Sequence, residues 1–202
     1  NPGIDPIKDL DQKSLDKVES LLKIKTPRLI TVSRFDKRKN HEKVVMALRN
    51  LKLIYPDIVY ICVGYGDEEE NIKKLVKELD LEEQVMFFSD ISNDLKNALI
   101  SKSNIFVMPS IVYKKSVEGF GIAVLEANAM GIPAIGSIGC GIEDAIRPGK
   151  SGLLIAVNDT SAFVDGIAQI LQHTSEFKKE AKKWAGQHDW SHVIKHYTAL
   201  FK

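Results

Sequence analysis

The sequence holds little of what most quickly classifies a protein. Its two cysteines, Cys62 in an apolar run and Cys140 between glycines, have no metal-ligand spacing and are too few for a disulfide scaffold. A reducing compartment follows, with a fold held by packing. Charge of one sign is also lacking, since 28 Lys+Arg face 27 Asp+Glu for a formal net charge of +1. General nucleic-acid binding therefore has no electrostatic basis, and any phosphate site must be local. The apolar runs, such as residues 58–63, are strand-length and fall far short of the ~20 residues needed to span a membrane. No secretory leader and no initiator Met opens the chain at Asn1-Pro2-Gly3-Ile4-Asp5, so an excised piece of a cytoplasmic protein is expected. Internal repeats and low-complexity tracts are missing too.

What is present is an ordinary globular composition, 44% hydrophobic over 202 residues, enough for one compact domain or one large lobe. Short β-rich runs at 28–32, 59–63, 85–88, 105–108, 133–137 and 152–155 alternate with helical patterns at 41–55, 68–79, 94–101, 121–130, 143–146 and 160–171. Most of the strands are apolar on both faces, as buried parallel strands are. The pattern predicts an α/β fold, a Rossmann-like, doubly wound parallel sheet of about six strands, with ligands beyond the carboxyl ends of those strands. A lone helix over 14–22 precedes the first strand, and helices over 176–185 and 191–201 follow the last without a strand between them.

Four segments at strand ends are candidates for chemistry. Residues 33–40, Ser-Arg-Phe-Asp-Lys-Arg-Lys-Asn, follow the first strand and place Arg34, Lys37, Arg38 and Lys39 where an anion would sit; a solvated loop is the alternative. Residues 118–126, Glu-Gly-Phe-Gly-Ile-Ala-Val-Leu-Glu, open a helix with a glycine-bearing turn whose free N–H groups suit a diphosphate. Carboxylates beside such a site, here Glu118 and Glu126, make sense as acceptors for a vicinal diol; a helix cap and a solvated helix residue are the alternatives. In Val63-Gly64-Tyr65-Gly66-Asp67 the third glycine of a dinucleotide fingerprint is replaced by Glu69, which leaves a tight turn lining the cleft and disfavours an NAD-dependent oxidoreductase. Gly139-Cys140-Gly141 reads as backbone that approaches a ligand closely, with Cys140 a small bystander rather than a nucleophile. His173, His188, His192 and His196 in the tail lack the zincin pattern and read as surface or interface histidines, with no metal site.

These segments together resemble the C-terminal, donor-binding half of retaining glycosyltransferases of family four, the GT-B architecture. Asn1-Pro2-Gly3-Ile4-Asp5 resembles the interdomain motif, and Ser33-Arg34 with Lys39 the basic donor loop. Gly64-Tyr65-Gly66, Met108-Pro109-Ser110, the Glu118-x7-Glu126 pair and Gly131-Ile132-Pro133 follow in family order. The resemblance implies that Arg34 and Lys39 hold the diphosphate of a UDP-, GDP- or ADP-sugar and neutralise the leaving group. It makes Glu118 face the sugar hydroxyls and Glu126 the ribose, with Gly64 and the amides of Gly119, Phe120, Gly121 and Ile122 lining the cradle and Ile91 meeting the base. Catalytic roles fall to Glu118, Arg34 and Lys39; no cofactor or metal is implied, and the anomeric configuration is retained. The seven-residue spacer 111–117 before Glu118 resembles a subgroup that includes GDP-mannose-dependent mannosyltransferases.

The resemblance divides the chain into a linker and leading helix (1–24), a donor-binding domain (25–172) and C-terminal helices (173–202) that return to an N-terminal acceptor lobe outside this chain. It implies transfer in cell-surface polysaccharide, lipopolysaccharide or glycolipid synthesis, in the cytoplasm or at the inner face of the membrane. Peripheral association of a full enzyme with that membrane stays open, and the fragment alone is expected to be inactive. A nucleotide-binding module without catalysis and a nucleotide-sugar epimerase are the rival readings.

Overall fold

The computed structural model describes residues 2–5 and 9–199, without the side chains of residues 196, 197 and 199. Six strands, β1 (Arg28–Val32), β2 (Val59–Val63), β3 (Val85–Phe88), β4 (Ile105–Met108), β5 (Ala134–Ser137) and β6 (Gly152–Ile155), form one sheet in the order β3-β2-β1-β4-β5-β6. Every neighbouring pair is parallel. The winding reverses between β1 and β4, which leaves a crevice beyond their C-terminal ends.

Strand periodicity explains the two layers around the sheet. The register puts Ile61, Ile30, Phe106 and Ala134 in one row across four strands, and Tyr60, Leu29 and Ile105 in a row on the opposite face. The first row packs in one core with Val18 and Leu22, Leu95 and Leu99, and Val124 and Leu125. These come from or adjoin α1 (Gln12–Leu21), α4 (Asn93–Ser101) and α5 (Ile122–Ala129). The second row packs with Val44, Leu48 and Leu51, Ile72 and Val76, and Phe163 and Ile167. They belong to α2 (His41–Ile54), α3 (Glu69–Glu78) and α6 (Thr160–Gln172). The parallel, doubly wound sheet expected from the alternation is thus the sheet observed.

Boundaries shift where local chemistry decides. The first helix starts at Gln12 because Asp11 accepts from Ser14 N at 2.8 Å. The fifth strand starts at Ala134, since Pro133 has no N–H to pair, although its carbonyl accepts from Phe106 N. The helix expected over 143–146 is a 3-10 turn, Gly141–Ala145, and Ile146 is already extended. Beyond β6, α7 (Thr174–Gly186) and α8 (Trp190–Ala199) follow α6, and the expected end of the last helix at Phe201 lies outside the described residues. Trp184 Nε1 donates to Ala145 O at 2.9 Å, and Ile4 N donates to His188 O at 2.8 Å. The start of the chain is thereby tied to its tail. Among the described residues no helix is long and apolar enough to cross a membrane.

Candidate functional site

The loops after β1 and β4 meet at the crevice. After β1 the chain makes a 3-10 turn, Lys37–Lys39, capped by Asp36, whose carboxylate accepts from Lys39 N at 3.1 Å. Asn40 then takes a left-handed conformation, φ 58°, and its side-chain amide donates to Pro109 O at 3.1 Å. Ile111 N donates to Arg38 O at 2.8 Å. These bonds join the two loops through their main chains.

The turn aims two of its three cations inward, while Lys37 stays exposed and pairs with Glu68 at 2.7 Å. Lys39 is only 9% exposed and its Nζ pairs with Glu118 Oε2, while Arg38 Nη1 lies 2.7 Å from the same oxygen and Ser110 Oγ 3.5 Å. All three charged side chains are largely screened from water, so removing one leaves an uncompensated charge in a poor solvent for it. Arg34, by contrast, is exposed and makes no ion pair with a described residue. The structure therefore brings Glu118 to Lys39 and Arg38, and leaves Arg34 as an available cation at the rim.

Two glycines position these loops by close approach. A Cβ at Gly64, whose φ is +144°, would overlap the Ser33 carbonyl, and the adjoining main chains are laced by Phe35 N to Tyr65 O at 2.9 Å. A Cβ at Gly141 would overlap the Gly119 carbonyl, and Gly141 N donates to Glu118 O at 2.9 Å. Gly141 thus supports Glu118 from behind. Cys140 is buried, with Sγ 3.4 Å from Ser110 O and 3.5 Å from Ser137 Oγ, a small packed side chain beneath the same loop.

Glu118 is not a helix cap. Gly121, φ 86°, occupies that position, and no side chain caps α5, so its first N–H groups and positive end stay open. Space is empty where a Cβ on Gly119 would stand. Phe120 leans on the tail, its ring 6.1 Å from that of His188. Of the surface and interface positions expected for the tail histidines, His188 takes a packed one: it is buried, with its ring 4.6 Å from that of Trp184. His173 and His192 are exposed, whereas the side chain of His196 lies outside the described set.

Glu126 stands one turn into α5, half-buried, and lines a cleft of about 470 Å³ with Asp5, Asn93, Asp94, Lys96 and Met130. Half-buried Ile91 precedes Ser92, the cap of α4. Glu126 and the segment after Ile91 thus border one recess, separate from the pairing at Glu118. Among the described residues no group of three His, Cys, Asp or Glu side chains is arranged to hold a metal.

A second cluster under the first loop escaped the sequence reading. His41, at the start of α2 and 2% exposed, lies with Nε2 3.0 Å from Ser33 Oγ and Nδ1 2.8 Å from Tyr60 Oη. Tyr60 donates to Thr31 Oγ1 at 2.8 Å, and Thr31 donates to Val107 O. Tyr60 and Thr31 each have one proton and the chain ends on a carbonyl that only accepts, so His41 donates from Nδ1; in the neutral ring Nε2 then accepts from Ser33 Oγ, which also lies 3.1 Å from Arg34 O. Burial accordingly lowers the His41 pKa from 6.5 to about 4. The same burial raises Cys62 and Tyr60 above their ordinary values. The missed residues had faint signals: Arg38 was one of four clustered cations, Ser110 adjoined Pro109, and His41 followed the loop directly.

Residues 12–187 match the family model of glycosyl transferases group 1. The N-acetyl-alpha-D-glucosaminyl L-malate synthase of Bacillus anthracis is 34% identical over 144 residues, 71% of this chain and 36% of that protein. A GDP-mannose-dependent alpha-(1-6)-phosphatidylinositol monomannoside mannosyltransferase of Mycolicibacterium smegmatis is 28% identical over 147 residues, covering 72% and 38% respectively. The chain spans little more than a third of these curated relatives. In fold it resembles HepE of Anabaena, crystallised with UDP-glucose, with a TM-score of 0.82 at 18% identity over 98% of this chain and 55% of that one. A match across most of its length, with GT-B proteins sharing its sheet, makes this chain a member of the glycosyl transferases group 1 family.

Proposed function

We propose that this chain is the donor-binding half of a retaining glycosyltransferase and holds a nucleoside diphosphate sugar beyond the ends of β1 and β4. The observation that carries the reading is the meeting of Lys39 and Arg38 with Glu118 beside the uncapped start of α5. Cations and an open helix end suit a diphosphate, and a carboxylate suits sugar hydroxyls. In this reading Lys39 and Arg34 take the diphosphate, and the amides of Gly119, Phe120, Gly121 and Ile122 complete the cradle. Gly64 admits the neighbouring turn, Glu126 accepts from the ribose, the main chain at Ile91 meets the base and Glu118 accepts from the sugar.

Transfer breaks the bond between the anomeric carbon and a diphosphate oxygen, and the electron pair leaves with that oxygen. Lys39, Arg34 and the end of α5 would meet the growing charge there, and electrostatics held ready in this way lower a barrier most. The acceptor hydroxyl oxygen bonds on the face the leaving group vacates and passes its proton to the departing diphosphate oxygen, so configuration is retained. An N-terminal lobe outside this chain would hold the acceptor, with residues 1–24 as linker, 25–172 as donor domain and 173–202 returning to that lobe. Such positioning can be worth ~7–11 kcal/mol, so these 202 residues alone should bind donor without transferring it. Mannose from GDP is the favoured donor, supported by the long spacer before Glu118 and by the mycobacterial relative's name. The product would be a cell-surface polysaccharide, lipopolysaccharide or glycolipid made at the cytoplasmic face of a membrane.

Calorimetric titration with GDP, UDP, ADP and their sugars tests the reading. One nucleoside diphosphate should bind, equally well in EDTA, and Lys39→Met should weaken it. Binding of none, or binding abolished by chelation, would overturn the assignment.

A further inference from the structure

Glu118 uses its two carboxylate oxygens unequally. Oε2 takes Arg38 Nη1 at 2.7 Å and Lys39 Nζ, with Ser110 Oγ at 3.5 Å, whereas Oε1 has no hydrogen bond to a described residue. An oxygen of an ionised carboxylate offers about two lone-pair sites, so Oε2 is saturated and Oε1 is the one open to a ligand hydroxyl.

The two cations on Oε2 are not equivalent. Lys39 is a compact charge on a flexible stem, and its other neighbour is Met108 Sδ at 3.8 Å, so it is free to turn toward a diphosphate. Arg38 is held at three points: Nη1 on Glu118, Nη2 3.5 Å from Asp36 Oδ2, and its carbonyl accepting from Ile111 N at 2.8 Å. Asp36 is itself fixed as the cap of the 3-10 turn. Once Lys39 engages phosphate, Arg38 is the cation that stays on Oε2.

We propose that Arg38 is a positioning residue for the sugar half of the donor, holding Glu118 by Oε2 so that Oε1 accepts from a sugar hydroxyl. The inference rests on the donor-binding reading above and names the residue that sets its sugar contact. Arg38 touches the substrate only through Glu118.

The experiment is a calorimetric double-mutant cycle on this chain, with GDP against GDP-mannose and UDP against UDP-glucose, using the pair that binds the wild type. Glu118→Gln is the reference and should weaken the sugar nucleotide while sparing the diphosphate. Arg38→Met should give the same split, about tenfold or more on the sugar nucleotide and under about twofold on the diphosphate. The double variant should be no worse than the poorer single one. Arg38→Lys keeps charge without the fork and should weaken the sugar nucleotide alone by an intermediate factor; it serves as the test if Arg38→Met does not fold. Equal losses on both ligands would make Arg38 a phosphate ligand, and losses that multiply in the double variant would make it independent of Glu118. Either result, or no loss, overturns the proposal. Failure of the donor reading shows separately, as a wild type that binds neither pair or a Glu118→Gln variant that shows no split.

Discussion

Two polar clusters hold the loop after β1, and they work by opposite physics. Above the loop, Arg38, Lys39 and Glu118 are charged, largely screened from water and concentrated on one oxygen. Below it, Ser33, His41, Tyr60 and Thr31 are neutral and run as a single line of hydrogen bonds to the Val107 carbonyl. A charged cluster at the crevice can trade partners, because an incoming anion replaces one carboxylate with another acceptor of the same sign. A buried neutral line has no such freedom, since the protons of His41, Tyr60 and Thr31 are each committed along it. The upper cluster suits ligand exchange and the lower one suits holding the loop still.

Acid should break the lower cluster first and with the largest effect. The folded chain binds a proton at His41 more weakly than the unfolded chain does, so the contribution is complete above pH 6.5 and drains as pH falls toward 4. Moving that pKa from 6.5 to about 4 is worth about 3 kcal/mol, of which about 2 kcal/mol should be gone by pH 5. Carboxylates held below their usual range, such as Glu68 beside Lys37, lose their share only below about pH 4.5. Urea unfolding at pH 7, 6 and 5 measures the slope, and His41→Gln should flatten it; a slope unchanged in that variant would detach the acid response from the relay.

Next in size is Lys39→Met, expected to cost about 1.5–3 kcal/mol of nucleoside diphosphate affinity while leaving the acid slope of unfolding as it was. A calorimetric loss confined to nucleosides lacking phosphate would contradict the role given to Lys39. Tyr60→Phe comes third: it strands the His41 Nδ1–H without its acceptor and should cost about 1–2 kcal/mol of stability, insensitive to salt, by chemical denaturation. The smallest effect to be read is the salt dependence of Glu118→Gln, whose stability penalty comes from stranding Arg38 and Lys39 without their carboxylate. That penalty should change with NaCl over 0.05–0.5 M, a span of ~14 to ~4 Å in Debye length; a salt response as flat as that of Tyr60→Phe would erase the contrast between the clusters.

Much of this architecture was legible in the residues. The six strands stood out because buried parallel strands are apolar on both faces and are separated by amphipathic helices, as at 59–63 between 41–55 and 68–79. The candidate site was legible in part, since Lys39 and Glu118 lie in segments whose glycines and clustered charge mark strand-end turns. Which cation meets Glu118 was not: Arg34 and Arg38 are alike in type and four residues apart, and only the 3-10 turn capped by Asp36 sends Arg38 inward while Arg34 faces water. Whether His188 lies at the surface or in a packed interface was not legible either, because the aromatic ring of Phe120 that helps bury it comes from a distant part of the chain.

Local order of residue types, by itself, determined the class of fold, the end of the sheet where the candidate groups gather and the kinds of group available there. These follow from periodicity, turn chemistry and charge, all of which act over a few residues. Tertiary structure alone decided the pairing on Glu118, the role of Gly141 behind it and the line from Ser33 to Val107. Each depends on main chains about 20 to 80 residues apart, beside the local Ser33–His41 link, being brought within a few ångströms by the parallel register of β1, β2, β4 and β5, and hydrogen bonds of that reach leave no periodic trace in a sequence.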